Sequence, residues 1–329
     1  MIMTDRIVHK ISGKSVDANQ HSRRKFLAAS AATVATSALG GTLGLTETAR
    51  AKTFALGDFS ICVLSDGHLV VPSAFLARNA SAKEREGAMR GAGQVGERIT
   101  APTNITLVRT TSEVILIDTG AGPHFMPSAG KLLENMEAAG IDRRSVTQVV
   151  YTHGHPDHLW GTLDDFDEEP NFPNASHVIS AAEWNLWMSR DVLTKIPEDR
   201  QNFASGAVRN LRRIKDSIRT VTPGEDIVPG LRVVDTAGHT QGHIAVEVVS
   251  GSEAILVVGD ALAHAVIAFA HPEWQPAADH DPERAAVTRR TLLSRLASDK
   301  TRLIGYHLPF PGIGFAETSG TAFRFAPVA

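Results

Sequence analysis

Short apolar runs bounded by turn residues set the rhythm of this chain. Residues 59–65, 104–109, 114–118 and 146–152 are rich in Val, Ile, Leu and Thr and are flanked by Gly, Asp or Asn, the pattern of buried strands. The pattern returns at 231–236, 243–249, 254–258 and 303–306. Residues 129–139 and 282–297 instead space their apolar side chains helically. The stretch 183–220, with Trp184, Trp187 and Phe203 and a break at Pro197, reads as a helical insertion able to cover a site. The acidic, Pro-containing segment 164–174 reads as a surface loop. Two strand-rich halves with accompanying helices predict a single α/β domain in which two sheets pack face to face with helices outside.

The beginning of the chain departs from this rhythm. Ser22-Arg23-Arg24-Lys25-Phe26-Leu27 precedes a mildly apolar run over 28–45 and then Ala49-Arg50-Ala51. Paired arginines, a weakly apolar stretch and an A-x-A site predict a twin-arginine export signal over 1–51, cut after Ala51, and a periplasmic or secreted domain over 52–329. Gly40, Gly41 and Gly44 interrupt the apolar run. A spanning helix needs about 20 mostly apolar residues, so no stable membrane insertion of the mature chain is expected.

Removing that leader takes out seven of the 33 basic and three of the 36 acidic side chains, leaving 26 and 33 and a formal charge of -7. This balance lacks the basic footprint of a nucleic-acid-binding protein. Cys62, the single cysteine, lies in an apolar run and predicts a buried strand residue rather than a disulfide or thiol site.

Chemistry enters where polar residues follow the strands. The run ending at Thr152 leads directly into His153-Gly154-His155-Pro156-Asp157-His158, and loops at strand ends are where a rigid sheet aims several ligands at one point. Imidazoles and carboxylates are the usual ligands of zinc and related divalent ions. Four such groups within six residues exceed what one catalytic ion takes while keeping an open position, which points to two ions. Three further apolar runs end on His239, Asp260 and His307 in the same manner.

The His-x-His-x-Asp-His segment with a later Gly-His, Gly-Asp and terminal His resembles the metallo-β-lactamase superfamily, whose fold is a four-layer αβ/βα sandwich. The resemblance implies that His153, His155 and His239 hold one ion, that Asp157, His158 and His307 hold the second, and that Asp260 bridges them. Within the superfamily, Leu64-Ser65-Asp66-Gly67, Ile117-Asp118-Thr119-Gly120, Phe172-Pro173-Asn174-Ala175 and His307-Leu308-Pro309-Phe310-Pro311-Gly312 are similar to methyl parathion hydrolase and its lactonase-like relatives. Two departures stand out: Leu159 is followed by Trp160-Gly161 where that pattern has Gly-Gly, and residues 80–100 match poorly.

The reaction implied is hydrolysis by a metal-bridging hydroxide, since binding lowers the water pKa from 15.7 to about 7. Asp157 and Asp260 are the expected catalytic carboxylates, with Asp157 also able to pass a proton to the leaving group. Asp66 and Asp118 are candidates for orienting the imidazoles, and each reads equally well as a turn or cap residue. Phe125, Trp187 and Phe203 resemble aromatic pocket residues of methyl parathion hydrolase, and His264 follows Asp260 closely enough to share its cavity. Such a pocket favours small uncharged lactones, esters or organophosphate triesters. The competing functions are a β-lactamase, a thioesterase, or a noncatalytic metal-binding protein on the same fold. Two divalent ions, zinc foremost, are the expected cofactors, and a homodimer is the expected assembly.

Overall fold

The computed structural model describes residues 51–328 apart from 92 and 95. The expected leader therefore lies outside the described residues except for Ala51, which opens the first strand. No described helix is long and apolar enough to cross a membrane.

Strands β1 (Ala51–Leu56), β2 (Phe59–Pro72), β3 (Arg98–Arg109), β4 (Val114–Ile117), β5 (Gln148–Val150), β6 (Ser176–Ser180) and β7 (Ile218–Val221) form one sheet in that order. The first four pair antiparallel and the rest parallel, as the helical crossovers between them require. Strands β8 (Asp226–Val228), β9 (Leu231–Asp235), β10 (Ile244–Ser250), β11 (Glu253–Val257), β12 (Arg302–Ile304), β13 (Ile313–Ser319) and β14 (Ala322–Pro327) form the second sheet, likewise in sequence order. Its one parallel pair, β11 with β12, is joined across the helix Pro282–Asp299.

Side-chain alternation along the strands builds the layers. On β2, Ile61 and Val63 face the second sheet and pack with Val233, Val246, Val248 and Ile304. Their neighbours Cys62 and Leu64 turn the other way, joining Leu107, Val149 and Leu211 beneath the first layer of helices. On the far side, Leu256 and Leu303 bury Leu292, Leu293 and Leu296 of the helix Pro282–Asp299. The result is the expected four-layer α/β sandwich.

Several elements differ from the sequence expectation. β2 and β3 run past the core as a ribbon, from His68 opposite Pro102 to Pro72 opposite Arg98, and Leu69 and Ala101 pack there on Ala121 and Ala129. Residues 80–100 supply a helix, Ala82–Gly91, and the start of β3. The insertion at 183–220 holds the helices Ala181–Trp187, Val192–Lys195 and Gln201–Arg213, but its end is β7 rather than helix. Parallel pairing with β6 and burial of Val221 between the sheets override the local helical pattern there.

Candidate metal centre

The loops after β5, β9, β11 and β12 carry His153, His155, Asp157 and His158, then His239, Asp260 and His307, and they converge on one buried point. His155 Nδ1 lies 3.0 Å from His153 Nε2 and 2.9 Å from His239 Nε2. Three imidazole nitrogens thus face one another at a spacing suited to a shared cation. Asp157, His158 and His307 form a second such group. Asp260 stands between the two: Oδ1 is 3.1 Å from His158 Nε2, while Oδ2 is 3.3 Å from His307 Nε2 and 3.4 Å from His239 Nε2.

Asp157 Oδ2, His158 Nε2 and Asp260 Oδ1 are buried and form no well-aligned hydrogen bond, only ion-pair approaches of 3.1 to 3.5 Å among themselves and to His307. Buried polar atoms ordinarily make well-aligned hydrogen bonds, so a cluster held only by such approaches has lone pairs left for a cation. Together with the nitrogen and carboxylate donor set, they make these residues fit divalent cations.

Electrostatics separates His153 and His155 from His158 and His307. Burial, reinforced by neighbouring imidazoles, holds His153 and His155 well below the usual histidine range. Burial opposes charge on His158 and His307 as well, but carboxylates outweigh it. Asp260, Asp157 and Asp118 hold His158 well above its ordinary value, and Asp260 and Asp157 raise His307 to about 10. The surplus negative charge that keeps those protons is what a bound cation would neutralise.

Several of the ligand candidates are braced from outside the cluster. Asp118, in the left-handed region at φ 65°, accepts the Thr152 N–H and hydroxyl, both at 2.8 Å, and lies 2.8 Å from His158 Nδ1. His239 Nδ1 is 2.9 Å from Asp279 Oδ1, whose Oδ2 accepts from buried Arg289 at 2.9 Å. His307 Nδ1 donates to the Pro102 carbonyl at 2.8 Å. His243 accepts the Asp260 N–H on Nε2 at 3.0 Å, so its Nδ1–H donates to Thr236 Oγ1 at 2.7 Å.

Sequence reasoning missed Glu183, Asp279 and His280. Glu183 is fully buried, and its carboxylate accepts from Gly154 N at 2.9 Å, Trp187 Nε1 at 2.6 Å, Thr240 Oγ1 at 2.7 Å and Gly242 N at 3.0 Å. It ties the first histidine loop to the loop of His239. Gly154 permits this closeness, since a Cβ there would lie 2.3 Å from Trp187 Nε1. Ser180 accepts the Glu183 N–H in the Ser-x-x-Glu pattern of a helix start, the one local signal that marks this acid. His280 Nε2 lies 3.3 Å from His155 Nε2.

Of the two carboxylates expected to orient imidazoles, Asp118 meets His158 and Asp66 meets none. Asp66 accepts the backbone N–H groups of Ala121, Gly130 and Leu132 at 2.8, 3.2 and 2.8 Å and so fastens the loop after β4. Gly120, at φ 78°, makes room for it, because a Cβ there would sit 2.6 Å from the Asp66 carboxyl carbon.

An apolar cavity of about 350 Å³ opens above the centre. His155, Asp157, Asp260 and His307 lie on its floor, and Leu69, Val71, Phe75, Phe125, Met126 and Phe203 form much of the wall. Two expectations need correction. Trp187 does not line this cavity: it is 1% exposed, tethered to Glu183 and packed behind His155 and His280. His264 does not line it either, because its Nδ1 is turned to the backbone N–H groups of Val266 and Ile267. Trp160 packs behind the wall, edge to face with Phe125 at 5.7 Å and Phe203 at 6.4 Å, and fills the space that Gly206 leaves on the helix Gln201–Arg213.

Fold and ligand constellation together define a class, and the family model of the metallo-beta-lactamase superfamily matches residues 98–307. The chain belongs to that superfamily and is a metallo-hydrolase. It is 30% identical over 205 residues to Metallo-beta-lactamase domain-containing protein 1 of Xenopus laevis, covering 60% of this chain and 69% of that protein. It is 30% identical over 143 residues to the probable metallo-hydrolase YqjP of Bacillus subtilis, covering 39% of this chain and 44% of that one. Among solved structures, it is similar to AidC, a dizinc quorum-quenching lactonase in complex with its product, at TM-score 0.80 and 27% identity over 85% of this chain and 97% of that chain. The hydrolase AbOPH of the beta lactamase superfamily is similar at TM-score 0.81 and 28% identity over 86% and 99%.

Proposed function

We propose that this protein is an exported dinuclear metal-dependent hydrolase of uncharged lactones, esters or organophosphate triesters. The observation that carries this reading is the apolar cavity whose floor is made of candidate ligands from both groups. An uncharged, partly apolar substrate is what such walls desolvate favourably. The likeness to a lactonase described as dizinc supports zinc and a lactone or ester carbonyl.

His153, His155 and His239 would hold one ion and Asp157, His158 and His307 the other, with Asp260 shared. When bound, such ions supply Lewis acidity and activated water. The chain's own contribution is positioning and proton handling. Asp118, Asp279 and the Pro102 carbonyl orient the imidazoles of His158, His239 and His307, which fixes where lone pairs point. Asp157 lines the cavity, and its carboxylate, 3.3 Å from His307 Nε2 through Oδ2, is the group placed to pass a proton to the leaving oxygen. An Asp157→Asn enzyme with full metal content and full activity would contradict that role. The wall residues Phe125 and Phe203 exclude water from the reacting centre.

Parallel kinetics on a γ-lactone, an aryl ester, methyl parathion and a penicillin test the reading, with His155→Ala as the control. Turnover of at least one of the first three, lost in the control, is expected. A preference for penicillin would instead make the protein a β-lactamase. Export is tested by replacing Arg23 and Arg24 with lysine, which should retain the protein in the cytoplasm; unchanged export would refute the twin-arginine assignment.

A further inference from the structure

A second cavity, of about 590 Å³, adjoins the first, and its walls are basic. Arg78, Lys195, Arg200 and Arg284 line it together with Asp279 and Asp281. Both acids are already engaged: Asp279 lies between His239 and Arg289, and Asp281 caps the helix Pro282–Asp299 by accepting the Arg284 N–H at 3.0 Å. Two of the cations are matched as well, Lys195 with Asp191 at 3.0 Å and Arg284 with Asp235 at 3.4 Å. Arg78 and Arg200 have neither an ion pair nor a side-chain hydrogen bond among the described residues.

The two cavities are neighbours that share a lining residue. Arg200 lines both, and His280, which lines the basic one, touches His155 on the floor of the apolar one. Concave walls of one sign concentrate the opposite charge, and guanidinium groups match the planar fork of a carboxylate.

We propose that the basic cavity is an anion subsite of the same active site. The reacting ester or lactone carbonyl sits over the ligand floor, while Arg200 and Arg78 hold a carboxylate carried on a remote part of the same molecule. This rests on the hydrolase reading and amends it in one respect: the lactone or ester substrate is uncharged at the reacting carbonyl but anionic at a remote group.

The test uses two 4-nitrophenyl esters of matched length, one ending in a carboxylate and the other in a primary amide, with the metal-loaded full chain. The wild-type enzyme should favour the carboxylate ester by about tenfold or more in kcat/KM, mainly through KM, as a charge-assisted hydrogen bond predicts. The preference should survive in part in Arg200→Lys and vanish in the Arg78→Ala, Arg200→Ala double variant. Equal rates on the two esters, or a preference that persists in the double variant, would overturn the subsite. Calorimetry with hexanoate against hexanamide reads the subsite without turnover. Hexanoate binding that weakens about tenfold in the double variant would support it even if neither ester were cleaved, an outcome that sinks only the hydrolase reading. Hexanoate binding unchanged by the double substitution would count against it.

Discussion

The floor and the walls of the apolar cavity are held by different forces. On the floor and directly beneath it, His158, His239 and His307 each have a directional partner in Asp118, Asp279 or a backbone carbonyl, and the two carboxylates are themselves held by Thr152 and Arg289. On the walls, Phe125 and Phe203 meet edge to face at 5.8 Å and lean on Trp160. Each such aromatic contact adds only about 0.5–1.5 kcal/mol beyond burial and accepts other apolar shapes. A hydrogen-bonded network fails as a unit, whereas apolar packing degrades gradually. Chemistry is thus fixed on the floor, and selectivity is free to vary on the walls.

The largest expected effect lies at the centre of the floor. Asp260→Ala removes the carboxylate shared by both groups and should lower kcat/KM by more than about 100-fold, beyond what loss of an outer partner costs. Activity within tenfold of wild type would break the contrast. Asp279→Ala acts one step out. It frees His239 and leaves Arg289, which is 3% exposed, without its carboxylate and held only by the Pro272 and Trp274 carbonyls, so a drop of about 10- to 100-fold in kcat/KM should accompany a loss of about 3 kcal/mol in denaturant unfolding. If stability fell but turnover did not, Asp279 would be a structural ion-pair partner only. Phe203→Ala probes the wall and should raise KM by about tenfold or less for long-chain esters with kcat nearly unchanged, in keeping with lost apolar contact. A larger fall in kcat would show that the wall positions the reacting group.

The floor was also the part most legible in the sequence. His153, His155, Asp157 and His158 sit within six residues, and His239, Asp260 and His307 each follow an apolar strand, so chain order alone marks them. Their braces carry no comparable mark. Glu183 lies 57 residues from Thr240, and Asp279 lies 40 from His239, so only folding reveals the pairing. Asp66 shows an ambiguity that only folding resolves, since a carboxylate just past an apolar run looks the same whether it meets an imidazole or, as here, three backbone amides.

Legibility of the fold followed a similar division. Strands buried on both faces, such as β4 and β11, announce themselves as continuous apolar runs. β13 and β14 form a partly exposed edge hairpin, and β7 is a short strand following the helix Gln201–Arg213 and one 3-10 turn; none shows a periodicity of its own. The walls combine the β2–β3 ribbon with the helix Gln201–Arg213, so their composition depended on packing that no local pattern encodes.

The central claim is that one floor holds two ions. Metal titration of the wild-type protein and of His307→Ala, read by elemental analysis after equilibrium dialysis, tests it directly. Two divalent ions per wild-type chain, falling to one in His307→Ala, are predicted. A single ion in the wild type, or a stoichiometry that His307→Ala leaves unchanged, would contradict the division of the floor into two sites.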